Sequence, residues 1–196
     1  MNICVYGAAS VSLHQKYITA TEELGELLAK RGHGLVFGGG RNGLMGAAAR
    51  GFTRGGAKEI VCVAPKFFQV DGVLYEHCSE YIHPDTMRER KGILEERADA
   101  FIAAPGGIGT FDELFEIITL RSLGRHTKPV VLYNACGFYT PMAELMDRYE
   151  KEGFLKNFRK LVFMSDSPEA IADYLEGYVG EKLNVLDFKE LDKEIK

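Results

Sequence analysis

The sequence predicts one doubly wound α/β domain, a mostly parallel sheet with helices on both faces, and three observations predict it. Short apolar runs alternate with segments of helical period along the chain. Two of those runs, FIAA at 101–104 and VVLY at 130–133, are apolar at every position, the pattern of strands covered on both faces. No linker, repeat or low-complexity stretch divides the 196 residues, so 1–180 read as one domain and 181–196 as a charged extension.

The elements follow in order. Ile3–Tyr6 reads as a strand. His14–Lys30 reads as a helix, with Tyr17, Ala20, Leu24 and Leu27/Leu28 on one stripe and Gly32 to close it. Leu35–Phe37 is a strand ending in three glycines, and a helix runs from about Leu44 to Arg54. Glu59–Val63 is a strand stopped by Pro65. Residues 66–80 show no period and read as a loop with a short helix, before a short strand at Tyr81–His83 and a charged helix at Arg88–Arg97. Ala100–Ala104 is a buried strand, Thr110–Leu123 a helix, Val130–Tyr133 a strand, Thr140–Glu152 a helix and Leu161–Met164 the last strand. Ser167-Pro168 opens the final helix as N-cap and first helical residue. The extension carries Leu183, Val185, Leu186, Phe188 and Leu191 among its charges and is expected to pack loosely.

Composition narrows the function. With 24 Lys+Arg against 28 Asp+Glu the chain lacks the basic surplus of a general nucleic-acid binder. No apolar stretch approaches the ~20 residues a membrane helix needs, and the N-terminus has no signal-peptide pattern. The four cysteines form no CxxC pair and the five histidines are dispersed, so no metal site is expected. The expectation is a cytoplasmic protein with reduced thiols.

In such sheets ligands bind beyond the carboxyl ends of the strands, which selects two loops. The first is Phe37-Gly-Gly-Gly-Arg-Asn-Gly-Leu-Met-Gly46, where Gly39 and Gly40 are candidate contacts; the second is Pro105-Gly-Gly-Ile-Gly-Thr-Phe-Asp-Glu113. Each joins a strand to a helix, where glycine admits close backbone approach and the helix amides attract phosphate. Neither is a Walker A loop. Between them stands Met87-Arg88-Glu89-Arg90-Lys91, three cations within four residues. Arg90 and Lys91 differ by about 100° around a helix, so one can face a cleft while the other reaches in from the side.

GGGxxGLMG, a Met-x-x-Arg-Lys element and PGGxGTxxE, in that order, resemble the Lonely Guy family of cytokinin riboside 5′-monophosphate phosphoribohydrolases, many of which carry the older label lysine decarboxylase-like. The resemblance runs from about residue 1 to 176. It implies a Rossmann-like fold and hydrolysis of a nucleoside 5′-monophosphate to free base and ribose 5-phosphate. It implies Arg90 and Glu113 as the catalytic pair, with Gly107, Gly109 and Thr110 around the phosphate and Gly106 and Ile108 as further substrate contacts. Met87, Lys91 and Thr119 would touch substrate. Family members also use a loop carboxylate about eighteen residues before the catalytic arginine; Gly72 holds that spacing and Asp71 beside it is the candidate. A carboxylate at Glu113 suits the positive charge that builds on the sugar during cleavage. Its place in the first helical turn would favour its ionised form.

Three departures from the family pattern stand out: Arg88 replaces a histidine, Ile108 an aromatic, and Leu120-Arg-Ser-Leu-Gly124 a Trp-Ala-Gln-Leu-Gly run. They bear on the choice of base more than on the reaction. The family forms homodimers or larger oligomers with sites near the interface, where Leu120 and Leu123 are equally good as interface or core. No metal and no organic cofactor is expected. A nucleotide sensor or molybdenum-cofactor carrier on the same fold is the competing reading. A decarboxylase would need a Schiff-base lysine, and the surroundings of Lys66, Lys91 and Lys128 signal none.

Overall fold

The computed structural model describes residues 1–68 and 72–188. Seven strands form one sheet in the order β4-β3-β2-β1-β5-β6-β7. They are β1 (Asn2–Tyr6), β2 (Gly34–Phe37), β3 (Ile60–Val63), β4 (Glu80–Ile82), β5 (Ala100–Ala103), β6 (Val130–Tyr133) and β7 (Phe163–Ser165). All six pairings are parallel. The helices are α1 (Gln15–Lys30), α2 (Gly43–Arg54), α3 (Met87–Arg97), α4 (Ile108–Ser122), α5 (Thr140–Lys151), α6 (Phe158–Leu161) and α7 (Pro168–Gly177).

Side-chain alternation builds two cores from one sheet. Ile3, Leu35, Phe37, Ile60, Ile102 and Val131 face α1, α2 and α7. Their neighbours Cys4, Val36, Val61, Phe101 and Leu132 face α3, α4, α5 and α6. Both faces are therefore covered, which is why these strands are apolar at nearly every position. Close crossing of α1 over α2 needs small residues: a Cβ on Gly25 would stand 2.8 Å from the Ala48 carbonyl.

Two expectations fail locally. Residues 158–161 form the short helix α6, so the last strand starts at Phe163 rather than Leu161. Phe158 and Leu161, three residues apart, both turn inward, a helical spacing in a stretch too short to separate from a strand by pattern. Helix α4 begins at Ile108, two residues before the expected Thr110, because Gly107 takes the extended N-cap conformation. Leu183 of the charged extension is buried against the α4 side of the core.

The strand order fixes where a ligand can bind. The chain runs outward from β1 to β4 on one side, then resumes with β5 on the other flank of β1. The loops after β1 and β5 therefore diverge and leave a crevice above the sheet.

Candidate active site

That crevice holds a cavity of about 450 Å³, within the range of small-molecule sites. Its wall combines Gly7, Ala8, Ala9 and Ser10 after β1, Gly38 and Gly40 after β2, and Gly107, Gly109, Thr110, Asp112 and Glu113 from the start of α4. Arg90 and Met87 enter from α3, and Met45, Phe68, Val73 and Leu74 make an apolar side.

Arg90 is held from several directions. Helix α3 starts at a capping box in which Thr86 accepts from the Glu89 amide and Glu89 accepts from the Thr86 amide. That start places Arg90 one turn in, buried, while Arg88 and Glu89 stay exposed. Its Nε donates to the Val63 carbonyl at 3.1 Å and its Nη1 to Glu113 Oε1 at 2.5 Å. Nη2 occupies the space a side chain at Gly38 would need, so Gly38 must lack one. Arg90 thus ties the end of β3, the β2 glycine loop and α4 to one guanidinium.

Glu113 has only 12% of its side chain exposed. Burial pushes its carboxyl above the ordinary 4.5, and this outweighs the opposing pull of Arg90. The first-turn expectation for Glu113 fails. Since α4 starts at Ile108, Glu113 lies in the second turn, where the helix dipole has faded. Desolvation governs it instead.

The remaining candidates separate. Gly107 and Gly109 present open backbone, with nothing within 4 Å of a built Cβ. Gly106 lies beneath the buried Thr110 side chain. Gly40 and Met87 line the cavity. Gly39 sits behind the wall with φ +84°, and Cys62 Sγ fills the space a Cβ on it would need. Lys91 turns toward α4, ion-paired to Asp112 at 3.3 Å and to Glu116. Those partners hold its ammonium above the ordinary lysine range, Glu116 foremost. Ile108, 89% exposed, and Thr119 lie on a shallow outer groove with Phe111 and Phe115. Asp71 lies outside the described residues. Among the described residues no lysine lines the cavity, no three His, Cys, Asp or Glu cluster as a metal set, and no helix is long and apolar enough to cross a membrane.

The sequence reading passed over the Gly7–Ser10 loop and the apolar side. The loop was findable, since the central strand of a doubly wound sheet supplies the first loop of the crevice. Met45 stood inside the GGGxxGLMG motif without being singled out, and Val73 and Leu74 carried no signal, because apolar residues in a loop look alike whether they face a core or a ligand.

A family model described as "Possible lysine decarboxylase" matches residues 45–175. The cytokinin riboside 5′-monophosphate phosphoribohydrolase LOG of Oryza sativa subsp. japonica is 39% identical over 180 residues, 91% of this chain and 74% of that one. LOG2 of Arabidopsis thaliana, of the same description, is 38% identical over 178 residues, 90% of this chain and 83% of that one.

The chain belongs to the Lonely Guy family.

Solved structures show the same fold at lower sequence identity to this chain. The molybdenum cofactor carrier protein of Chlamydomonas reinhardtii superposes with a TM-score of 0.67 at 23% identity, over 89% of this chain and 96% of that one. The molybdenum cofactor binding protein of Rippkaea orientalis gives 0.65 at 19%, over 89% and 93%. At these identities the likeness concerns architecture alone. In this Lonely Guy chain the Arg90–Glu113 contact joins the Met-x-x-Arg-Lys element to the PGGxGTxxE element, so motifs 23 residues apart in sequence meet at one ion pair.

Proposed function

We propose that this chain is a phosphoribohydrolase acting on purine nucleoside 5′-monophosphates, adenosine or N6-substituted adenosine monophosphate, to give free base and ribose 5-phosphate. The observation that carries the reading is the buried Arg90–Glu113 pair at the floor of a cavity rimmed by glycine backbone. The names of the family relatives support it.

The parts divide the work. The open amides at Gly107 and Gly109 begin α4 and suit the 5′-phosphate. The ribose then lies over Glu113, whose carboxylate offsets the positive charge developing at the anomeric carbon. The N-glycosidic electron pair leaves with the base, which takes a proton, and water supplies hydroxide to the sugar. Arg90 fixes the carboxylate through Nη1 and keeps Nη2 near the β2 loop. Met45, Phe68, Val73, Leu74 and Met87 favour a flat base with an apolar substituent. Hydrolysis draws only on water, so this reading needs no metal or organic cofactor.

Association into a homo-oligomer belongs to the same proposal. The outer groove of Ile108, Phe111, Phe115 and Thr119 shares Asp112 with the cavity, so a second copy seated there would flank the site.

The test is chromatography after incubation with AMP, N6-isopentenyl-AMP, GMP and CMP. Base is expected from the adenine nucleotides, and Glu113→Gln should lower the rate by about 10²-fold or more. A folded wild-type protein that releases no base from any of them overturns the reading. Binding without turnover would transfer it to a carrier or sensor.

A further inference from the structure

One buried polar group near the site has no role in the chemistry above. Tyr139, 1% exposed, donates its hydroxyl to the Ala104 carbonyl at 2.8 Å. Ala104 directly follows β5, and the glycine loop begins at the next residue, Pro105. The Tyr139 ring also meets Phe111 edge-on, with centroids 6.1 Å apart. Phe111 is in the first turn of α4, two residues before Glu113. Tyr139 therefore touches the chain on both sides of Pro105–Gly109, at the strand end and at the helix start.

The opposite flank of the loop is fastened separately. Ala8 donates to the Pro105 carbonyl at 3.1 Å, and Ala104 donates to the Tyr6 carbonyl at 2.9 Å. The Ala104 carbonyl is left for Tyr139. Tyr139 is itself held: its amide donates to Asn134 Oδ1 at 2.6 Å, and its ring packs on Phe138 at 5.0 Å. The turn that delivers it contains Cys136 at φ 53° followed by Gly137 at φ 76°. A cysteine in the left-handed region is an outlier that persists only where its surroundings impose it.

We propose that Tyr139 is a positioning residue for the phosphate-binding glycine loop, acting through the Ala104 carbonyl and Phe111 without touching substrate. This rests on the phosphoribohydrolase reading only in taking that loop as the phosphate cradle. Loops without such fastening drift, and a misplacement of about 1 Å is enough to cost up to 10²-fold in rate or affinity. Burial raises the phenol well above its ordinary range, so it stays a donor.

Tyr139→Phe keeps the ring and removes the donor. KM for AMP and the inhibition constant of ribose 5-phosphate should both rise by about tenfold, the scale of one lost hydrogen bond. Inhibition by free adenine should change by less than about twofold, since adenine carries no phosphate for the loop to place. Asn134→Ala should give the same pattern in weaker form. Asn134→Asp, which retains an acceptor for the Tyr139 amide, should restore it, and this pair decides the matter if Tyr139→Phe fails to fold. Unchanged constants overturn the proposal, as does equal weakening of adenine and ribose 5-phosphate. If the wild type releases no base yet binds ribose 5-phosphate by calorimetry, the hydrolase reading falls and the same comparison of binding constants still judges Tyr139. A wild type that does neither overturns both.

Discussion

Glu113 experiences two opposed influences, and their balance sets the pH at which it can act. Burial disfavours its charged form, Arg90 at 2.5 Å favours it, and burial prevails. A raised carboxyl pKa means that the carboxylate is lost at a higher pH than for an ordinary glutamate as acid is added. With glutamate labelled at Cδ, the resonance absent from Glu113→Gln should titrate above 4.5, and Arg90→Gln should move its midpoint further up by removing the opposing charge. A midpoint at or below 4.5 would show that the ion pair dominates. Both members of this pair were legible in the sequence, because two motifs named them. The partner of Lys91 was not: the turn of about 100° from Arg90 says only that it points elsewhere. That it meets Asp112 and Glu116 depends on how α3 packs beside α4, which no local pattern encodes.

At the scale of the element, the glycines of the two loops serve different physical ends. Gly39 adopts φ +84°, and an added Cβ would run into Cys62 Sγ. Gly39→Ala should therefore cost about 1–2 kcal/mol or more through backbone strain and overpacking, seen as a lower Tm. Gly109 lies in α4 with open space around a built Cβ and lines the cavity. Gly109→Ala should hold or raise Tm, by up to about 1 kcal/mol in stability from helix propensity, while weakening phosphate binding. Calorimetric melting beside ribose 5-phosphate affinity checks both; a destabilised Gly109→Ala would mean that the start of α4 is differently built. In the sequence the two glycines look alike. Strand–loop–helix order was readable from alternating apolar runs, yet the start of α4 fell two residues early because Gly107 takes the N-cap position with no side chain to signal it.

For the molecule as a whole, the parallel sheet and its two covered faces were legible because burial on both sides leaves every strand position apolar. The face of α4 proposed for association was not, since a surface stripe and a core stripe share one helical period. The structure separates them along α4: Leu114, Ile117 and Ile118 face the core, whereas Ile108 and Phe115 are 89% and 40% exposed. These exposed apolar residues, on a groove that shares Asp112 with the cavity, are the face through which the proposed homo-oligomer would join in a two-fold contact. Light scattering should then report about twice the 21.8 kDa chain mass. Phe115→Glu would place a charge in that proposed contact and should return the mass to a single chain. If the partner also closes the rim of the site, the monomeric variant should lose affinity for AMP while its Tm, governed by the core on the other face of α4, changes little. A wild-type protein already at single-chain mass would leave Ile108 and Phe115 without this role and make each cavity a site complete in one chain.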